Sequence, residues 1–162
     1  MSVSKGSYYQ IGKTIFYTDR WGLADIPSKD ATYTGFTVPD KVVKAQQTAV
    51  STKNNVTTIS DAIKFTITSE ATLTAYIGAT DNEKSVLPNI FTESGTTVTG
   101  TTLTVYNGSD TSVESNTVLG TYKVTLSKSN IYKIVIKIPS SGTYYFGDTD
   151  SGKMCIYSLI VE

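Results

Sequence analysis

The stretch SGTYYFGDTDSGKMCIYSLIV, Ser141–Val161, has the pattern of two β-strands joined by a turn. Aromatic and branched aliphatic residues fill its two ends, and Asp148–Gly152 between them consists of the aspartate, threonine, serine and glycine residues that favour turns. The second half, Met154–Val161, is apolar at nearly every position, which is typical of a strand buried on both faces. We therefore expect a central strand whose outer flank is covered by a loop or by the N-terminal segment.

The rest of the chain has the same β character. Alternation of apolar and polar residues is frequent, helical periodicity is nearly missing, and turn signals recur roughly every ten residues. This pattern predicts an all-β fold, a jelly-roll type antiparallel β-sandwich with about nine strands. The predicted strands are Gln10–Tyr17, Tyr33–Val38, Ala62–Thr68, Ala71–Ile77, Thr101–Tyr106, Val118–Leu126, Ile131–Ile138, Gly142–Phe146 and Met154–Val161.

Alternation within Ile131–Ile138 assigns the faces of that strand. The residues expected to point inward are Tyr132, Ile134, Ile136 and Ile138, and those expected to point outward are Lys133, Val135 and Lys137. If Val118–Leu126 forms a hairpin with this strand, Lys123 lies on the same outer face. Such a stripe of lysines is either a solvated face that discourages edge pairing or a surface for a polyanion.

Length and regularity set the domain prediction. A chain of 162 residues fits one domain of about 100–200 residues, so a single module over residues 1–162 is expected. The stretch Ile77–Gly100 is less regular and contains Pro88, which predicts a long loop with one edge strand. No stretch reaches the roughly 18 apolar residues that a transmembrane helix needs, so no membrane partner is expected.

Composition excludes several classes of function. Lys plus Arg and Asp plus Glu balance at 14 each, which argues against a nucleic-acid partner that needs a strongly basic surface. Histidine is absent, so Ser-His and Cys-His nucleophiles and imidazole metal centres are excluded. Cys155 is the one cysteine and is expected to be a small core residue.

Acidic pairs that could act as the acid and base of a glycosidase lie in turns, where acidic residues are expected for turn chemistry alone. These pairs are Asp81 with Glu83, Asp110 with Glu114, and Asp148 with Asp150. We therefore predict no catalytic residues and no cofactor. Asp148 and Asp150 also suggest a structural calcium ion, but two aspartates fall short of a full ligand set, and an Asx turn is the favoured interpretation.

Ser141–Val161 resembles the GTYY(L/I)GS…GG-I-x-IYYI-x-V ending of the β-sandwich modules appended to secreted pectate lyases and related polysaccharide-degrading enzymes. Upstream, AIKFTITSEATLTAY, Ala62–Tyr76, is similar to the A-(L/I)-K-F-T-V…A-T-V-T-V segment of the same modules. The resemblance covers roughly residues 60–162 and leaves residues 1–60 as N-terminal strands of the module or as a linker.

The resemblance implies a non-catalytic carbohydrate-binding module for plant cell-wall polysaccharide, with pectic homogalacturonan as the first expectation. It also implies a secreted, monomeric module tethered to the catalytic domain of a larger enzyme. Met1–Gly6 holds no apolar signal core, which taken literally would indicate a cytoplasmic protein. The resemblance favours the extracellular location.

The ligand-binding residues follow from the resemblance and from charge. In the family, a basic residue in the loop after the A-T-V-T-V strand lies near the turn of the last hairpin. Lys84 and Lys153 are the candidates for this role here, although the family often has a small residue where Lys153 stands. Lys64 in the A-(L/I)-K-F pattern is a third candidate, expected to point outward between Ile63 and Phe65. Lysine suits the spaced carboxylates of a polyuronate because its flexible ammonium acts as a point charge.

Two other functions fit the same sequence. Trp21 and the tyrosines near it would stack on the sugar rings of a neutral β-glucan or xylan, or else Trp21 plugs one end of the sandwich. A bacterial cell-surface adhesin or structural β-sandwich is the other alternative, and one version of it carries a Lys–Asn isopeptide cross-link through Lys64 or Lys137.

Overall fold

The computed structural model describes residues 7–11, 14–18, 23–25, 31–39, 41–79 and 84–162. These residues form strands and irregular connections, and none of them belongs to a helix, so no helix in this part of the chain could cross a membrane. The strands are β1 (Ser7–Ile11), β2 (Thr14–Thr18), β3 (Leu23–Asp25), β4 (Lys41–Ala45), β5 (Ala49–Lys53), β6 (Val56–Ser60), β7 (Ile63–Ile67), β8 (Ala71–Ala79), β9 (Lys84–Val86), β10 (Pro88–Thr92), β11 (Thr102–Tyr106), β12 (Ser112–Val118), β13 (Val124–Leu126), β14 (Tyr132–Ile138), β15 (Gly142–Asp148) and β16 (Met154–Val161).

Two antiparallel sheets form the body of the protein. The five-stranded sheet has the order β1-β2-β7-β15-β10, and the seven-stranded sheet has the order β12-β11-β14-β8-β16-β4-β3. Two short ribbons, β9 with β13 and β5 with β6, complete the pairing. The predicted all-β antiparallel sandwich is confirmed, whereas its jelly-roll connectivity stays a prediction. The described residues hold sixteen strands in place of the expected nine or so.

The core lies between the two sheets and follows from alternation. Ile134, Ile136 and Ile138 on β14 are fully buried, as predicted. They share one apolar cluster with residues of the opposite sheet, among them Phe65 on β7 and Phe146 on β15. Burying a large aliphatic or aromatic side chain is worth about 1.5–3 kcal/mol, so this layer supplies most of the driving force for folding.

Strand β16 is central and buried on both faces, as its composition predicts. It pairs with β8 on one side and with β4 on the other. A register shift between Ile156 and Ser158 marks a bulge at Tyr157. Cys155 and Tyr157 belong to a second buried cluster on the outer face, where the segment 31–38 covers the seven-stranded sheet. The expected cover over the outer flank is therefore this irregular segment, and Cys155 is the small core residue that was predicted.

A third cluster covers the outer face of the five-stranded sheet. Ile59 on β6 and Ala62 pack on Phe91 of β10, and Tyr145 of β15 borders them. Phe91 and Tyr145 are paired across their strands. The β5–β6 ribbon thus lies over an outer sheet face that would otherwise expose aromatic residues.

Two of the predicted strands near the N-terminus are wrong as drawn. Gln10–Tyr17 is not one strand, because β1 ends at Ile11, β2 begins at Thr14, and the two pair antiparallel. Tyr33–Val38 is not a strand, because the chain turns at Gly35, whose φ of 75° is left-handed. Gly35 is the turn signal that the prediction of the second strand overlooked.

The predicted hairpin between Val118–Leu126 and the following strand is also wrong. The chain turns at Gly120, whose φ is 79°, so β12 ends at Val118 and β13 begins at Val124. Strand β13 pairs with β9, whereas β14 pairs with β8 and β11. Lys123 therefore does not share a sheet face with Lys133 and Lys137, and no three-lysine stripe forms.

The stretch Ile77–Gly100 has more structure than the predicted loop. Strand β8 continues to Ala79, and β9 and β10 follow. Pro88 is the first residue of β10, at the edge of the five-stranded sheet, where its missing N–H costs no ladder bond. The expected edge strand is therefore present.

Strands from the first sixty residues belong to both sheets. Phe16 of β2 pairs with Phe65 of β7 in the five-stranded sheet. Val43 of β4 pairs with Ile156 of β16 in the seven-stranded sheet. These residues are integrated into the same sandwich as the segment that carries the family resemblance.

Two buried tyrosines give matched tests of this packing. Tyr157 is 6 % exposed and its hydroxyl has no hydrogen-bond partner among the described residues, whereas the hydroxyl of Tyr144, also 6 % exposed, donates to the carbonyl oxygen of Ser140 at 3.0 Å. We expect Tyr157→Phe to raise the free energy of unfolding by about 1 kcal/mol, because it removes an unsatisfied buried hydroxyl. Tyr144→Phe should lower it by about 1 kcal/mol. Urea denaturation of both variants measures the difference, and a destabilised Tyr157→Phe would contradict the assignment.

Candidate functional site

The connection between β15 and β16 lies directly against β9. Gly152 is buried, and a Cβ atom built on it would overlap the carbonyl oxygen of Ser85, so the two backbones touch there. Lys153 follows Gly152 and is exposed, and Lys84 precedes Ser85 and is half-buried. The structure therefore brings together the two chain segments that carry Lys84 and Lys153, each lysine one residue away from the contact.

Lys123 lies beside the same connection. Its Nζ is 2.9 Å from Oδ2 of Asp150, and the hydrogen bond from Lys123 holds the pKa of Asp150 below its ordinary value. We call Lys84, Lys123 and Lys153 the lysine edge. Sequence reasoning missed the place of Lys123, because it depends on the turn at Gly120 and on the pairing of β13 with β9.

Asp148 is the buried anchor of this region. Its Oδ1 accepts hydrogen bonds from the backbone N–H groups of Leu87 at 2.7 Å and Asp150 at 2.8 Å. Its own backbone N–H donates to Oγ1 of Thr48 at 3.0 Å. Oδ2 has no partner among the described residues, and burial raises the pKa of Asp148 to about 6. One carboxyl thus ties the β9–β10 connection to the turn that carries Lys153.

The same geometry shows what Asp148 and Asp150, the residues of the calcium hypothesis, contact in the protein. The bond from the N–H of Asp150 to Asp148 Oδ1 closes an Asx turn, the arrangement favoured from the sequence. Lys123 already neutralises Asp150, and N–H groups point at the buried carboxyl, so positive charge is supplied by the chain itself. In the part of the chain that the structure describes, no three acidic, cysteine or histidine side chains converge as metal ligands.

Lys64 lies apart from the lysine edge, on β7. Ile63 and Phe65 are buried, which places Lys64 outward as expected. Its Nζ is 5.5 Å from the ring centre of Tyr145 and 3.8 Å from Oε1 of Glu93. Its charge is thus already shared with a ring and a carboxylate. Trp21, the other predicted ligand residue, lies outside the described residues.

A charged and aromatic network lies on the outer face of the seven-stranded sheet. Lys133 Nζ is 2.5 Å from Oδ1 of Asp110 and 4.0 Å from the ring centre of Tyr106. The hydroxyl of Tyr33 donates to the same Asp110 oxygen. These two bonds lower the pKa of Asp110, and burial together with Asp110 raises the pKa of Tyr33. Asp110 and Lys133 therefore neutralise each other.

A polar cleft of about 530 Å³ opens beside this network. Its walls are residues 32–34, the turn 107–109, and Asn130 with Tyr132. This volume lies within the range of about 300–1,000 Å³ that small-molecule sites occupy. The cleft could not be predicted from the sequence, since the contact between these segments depends on the path of residues 31–39 across the sheet.

The acidic pairs considered for catalysis have structural contacts where they are described. Asp110 is bound by Lys133 and Tyr33, Glu114 accepts a hydrogen bond from the hydroxyl of Thr117, and Asp148 is buried beneath its turn. The pair formed by Asp81 and Glu83 lies outside the described residues. In this structure the described acidic residues stabilise turns and pair with lysines.

No protein-family model matches the chain, and no curated protein matches it. The resemblance to the modules of pectate lyases accordingly rests on the sequence segments quoted above.

The buried Asp148 predicts an unusual pH dependence of stability. Folding raises the pKa of the Asp148 carboxyl to about 6, above its ordinary value, so the folded state binds the carboxyl proton more tightly than the unfolded state does. The contribution of Asp148 to the free energy of unfolding is therefore fully present at low pH and is lost as pH rises through about 6. Asp148→Asn keeps the acceptor for Leu87 and Asp150 and removes the buried charge, so it should stabilise the protein by about 1–3 kcal/mol at pH 7 and above.

Urea unfolding of both proteins between pH 4 and pH 8 provides the measurement, with the advantage of Asp148→Asn growing as pH rises. Asp150→Asn is the control of opposite sign, because it breaks the pair with Lys123 and should lower stability at neutral pH. If Asp148→Asn is less stable than the parent at pH 8, the surroundings of Asp148 stabilise its ionised form, and the prediction is wrong.

Proposed function

We propose that this chain is a non-catalytic carbohydrate-binding module for plant cell-wall polysaccharide, with low-ester homogalacturonan as its first ligand. The supporting observation is that the β15–β16 turn lies against β9, so that the three residues of the lysine edge lie on neighbouring segments. Among the described residues, neither Lys84 nor Lys153 has an acidic partner. Two ammonium groups on neighbouring segments that pair with no described carboxylate suit carboxylates spaced along a polyuronate.

The backbone beneath these lysines is held in place. The N–H of Thr149 donates to the carbonyl of Leu87 at 3.1 Å, and the Gln47 side chain donates to the carbonyl of Thr149 at 3.0 Å. Asp148 adds its two bonds from below. Because the turn is already ordered, binding costs little loop entropy, and only the lysine side chains must be immobilised.

The chain as a whole cannot attract a polyanion, because its acidic and basic residues balance at 14 each. Attraction must come from the local arrangement, and such exposed charges are strongly screened by salt. Binding would then be weak for each sugar and salt-sensitive. The biological role would be to raise the concentration of a tethered secreted enzyme at its substrate, by proximity and not by chemistry.

Affinity electrophoresis against pectins of different methyl-esterification tests this proposal. We expect low-ester pectin to retard the protein and added salt to abolish the retardation, since screening weakens exposed ion pairs. Lys84→Ala and Lys153→Ala should each weaken binding by about two- to fivefold, the effect of losing one partly exposed ion pair.

Lys53→Ala is the matched control, because Lys53 is exposed at the end of β5 and has no acidic partner among the described residues. An equal loss in all three variants would mean that only the overall charge matters, and the lysine edge would be rejected. Salt-independent retardation by β-glucan or xylan would move the site to Trp21 and its tyrosines. No retardation by any glycan would favour an adhesin or structural domain, and an intact mass equal to that of the unmodified chain would remove its isopeptide version.

A further inference from the structure

The polar cleft presents groups that the protein itself does not use. No hydrogen bond within the described part of the chain involves the hydroxyls of Thr32, Thr34 or Ser109, or the side chain of Asn130. In the side chain of Asn107, only Oδ1 has a partner among the described residues, and it accepts from the backbone N–H groups of Ser109 at 3.0 Å and Thr111 at 3.1 Å. The cleft therefore offers several hydrogen-bond donors and acceptors on three converging segments.

These segments are fixed to one another. The N–H of Thr34 donates to the carbonyl of Gly108 at 2.8 Å, and the N–H of Ile131 donates to the carbonyl of Thr32 at 3.3 Å. A single parallel bridge joins Thr32 to Asn130. The hydrogen bond from the hydroxyl of the buried Tyr33 to Asp110 also joins segment 32–34 to the end of the turn 107–109. A ligand would meet a cleft whose walls are ordered before it arrives, which lowers the entropic cost of binding.

The cleft is uncharged. None of its lining residues is acidic or basic, and the nearby Asp110 and Lys133 are bound to each other at 2.5 Å. Tyr132, half-buried, also lines the cleft, while its side chain packs against the core between the sheets. Hydroxyl and amide groups that both donate and accept hydrogen bonds match the hydroxyl groups of a sugar, each of which can also donate and accept.

We propose that the polar cleft is a second saccharide site, which binds a short neutral saccharide without help from charge. The inference rests on the proposed function for the class of ligand, but it uses different residues and a different interaction from the lysine edge. Two sites of this kind would let the module hold a charged pectic backbone at one surface and an uncharged sugar chain at another. Such paired contacts raise the strength of attachment to a mixed cell wall.

An amide NMR titration with cello-, xylo-, manno- and galacto-oligosaccharides tests the proposal. At least one of these should shift the backbone signals of Gly108, Ser109 and Asn130, with equal affinity in low and high salt. Asn130→Ala and Thr34→Ala should each weaken that binding about three- to tenfold, the effect of losing one hydrogen bond. Thr58→Ala, another exposed threonine but on β6, is the matched control and should bind like the parent.

The outcomes separate this inference from the proposed function. Shifts at the cleft without retardation by low-ester pectin would support the cleft and reject the lysine edge. Pectin retardation with no cleft shift from any of the four neutral series would overturn the cleft proposal and leave the lysine edge standing. Shifts that disappear in high salt, or an affinity that Asn130→Ala and Thr34→Ala leave unchanged, would also overturn it.

Discussion

The burial of both faces of β16 is the constraint on which the rest of the structure depends. Met154, Ile156 and Leu159 face the core between the sheets, while Cys155 and Tyr157 face outward into a second apolar cluster. A strand that is apolar on two sides is stable only if both sides are covered. The five-stranded sheet covers one side and the irregular segment 31–38 covers the other, so the molecule has more layers than a simple two-sheet sandwich.

The outer covers also decide where recognition surfaces can form. Segment 31–38 crosses the seven-stranded sheet and meets the turn 107–109 and Asn130, and the polar cleft opens between them. The β5–β6 ribbon covers the aromatic residues on the other sheet. In the described part of the chain, the candidate ligand surfaces are therefore places where connections meet, which agrees with the general role of loops on a rigid β-scaffold.

The candidate lysines differ in whether a carboxylate lies close to them. Lys123, Lys133 and Lys64 each lie within 4 Å of a carboxylate, and aromatic rings flank the last two. Such pairs contribute little energy when exposed, but they remove the charge from long-range recognition. Lys84 and Lys153 lack such partners in the described residues and lie on segments in contact through Gly152, which is why the proposed polyuronate site is centred on them.

The sequence by itself determined the class of fold, the buried face of β14, the double burial of β16 and the outward position of Lys64, because each follows from the alternation or the continuity of apolar residues along one strand. It did not determine the turns at Gly35 and Gly120, where one glycine interrupts an otherwise regular pattern. Only the tertiary structure decided that Lys123 pairs with Asp150, that Asp148 anchors three connections, and that two turns meet segment 31–38 to form the polar cleft. The physical reason is that alternation reports which side of a strand is buried, whereas contacts between connections depend on strand order and on the path of irregular segments, which no local period encodes.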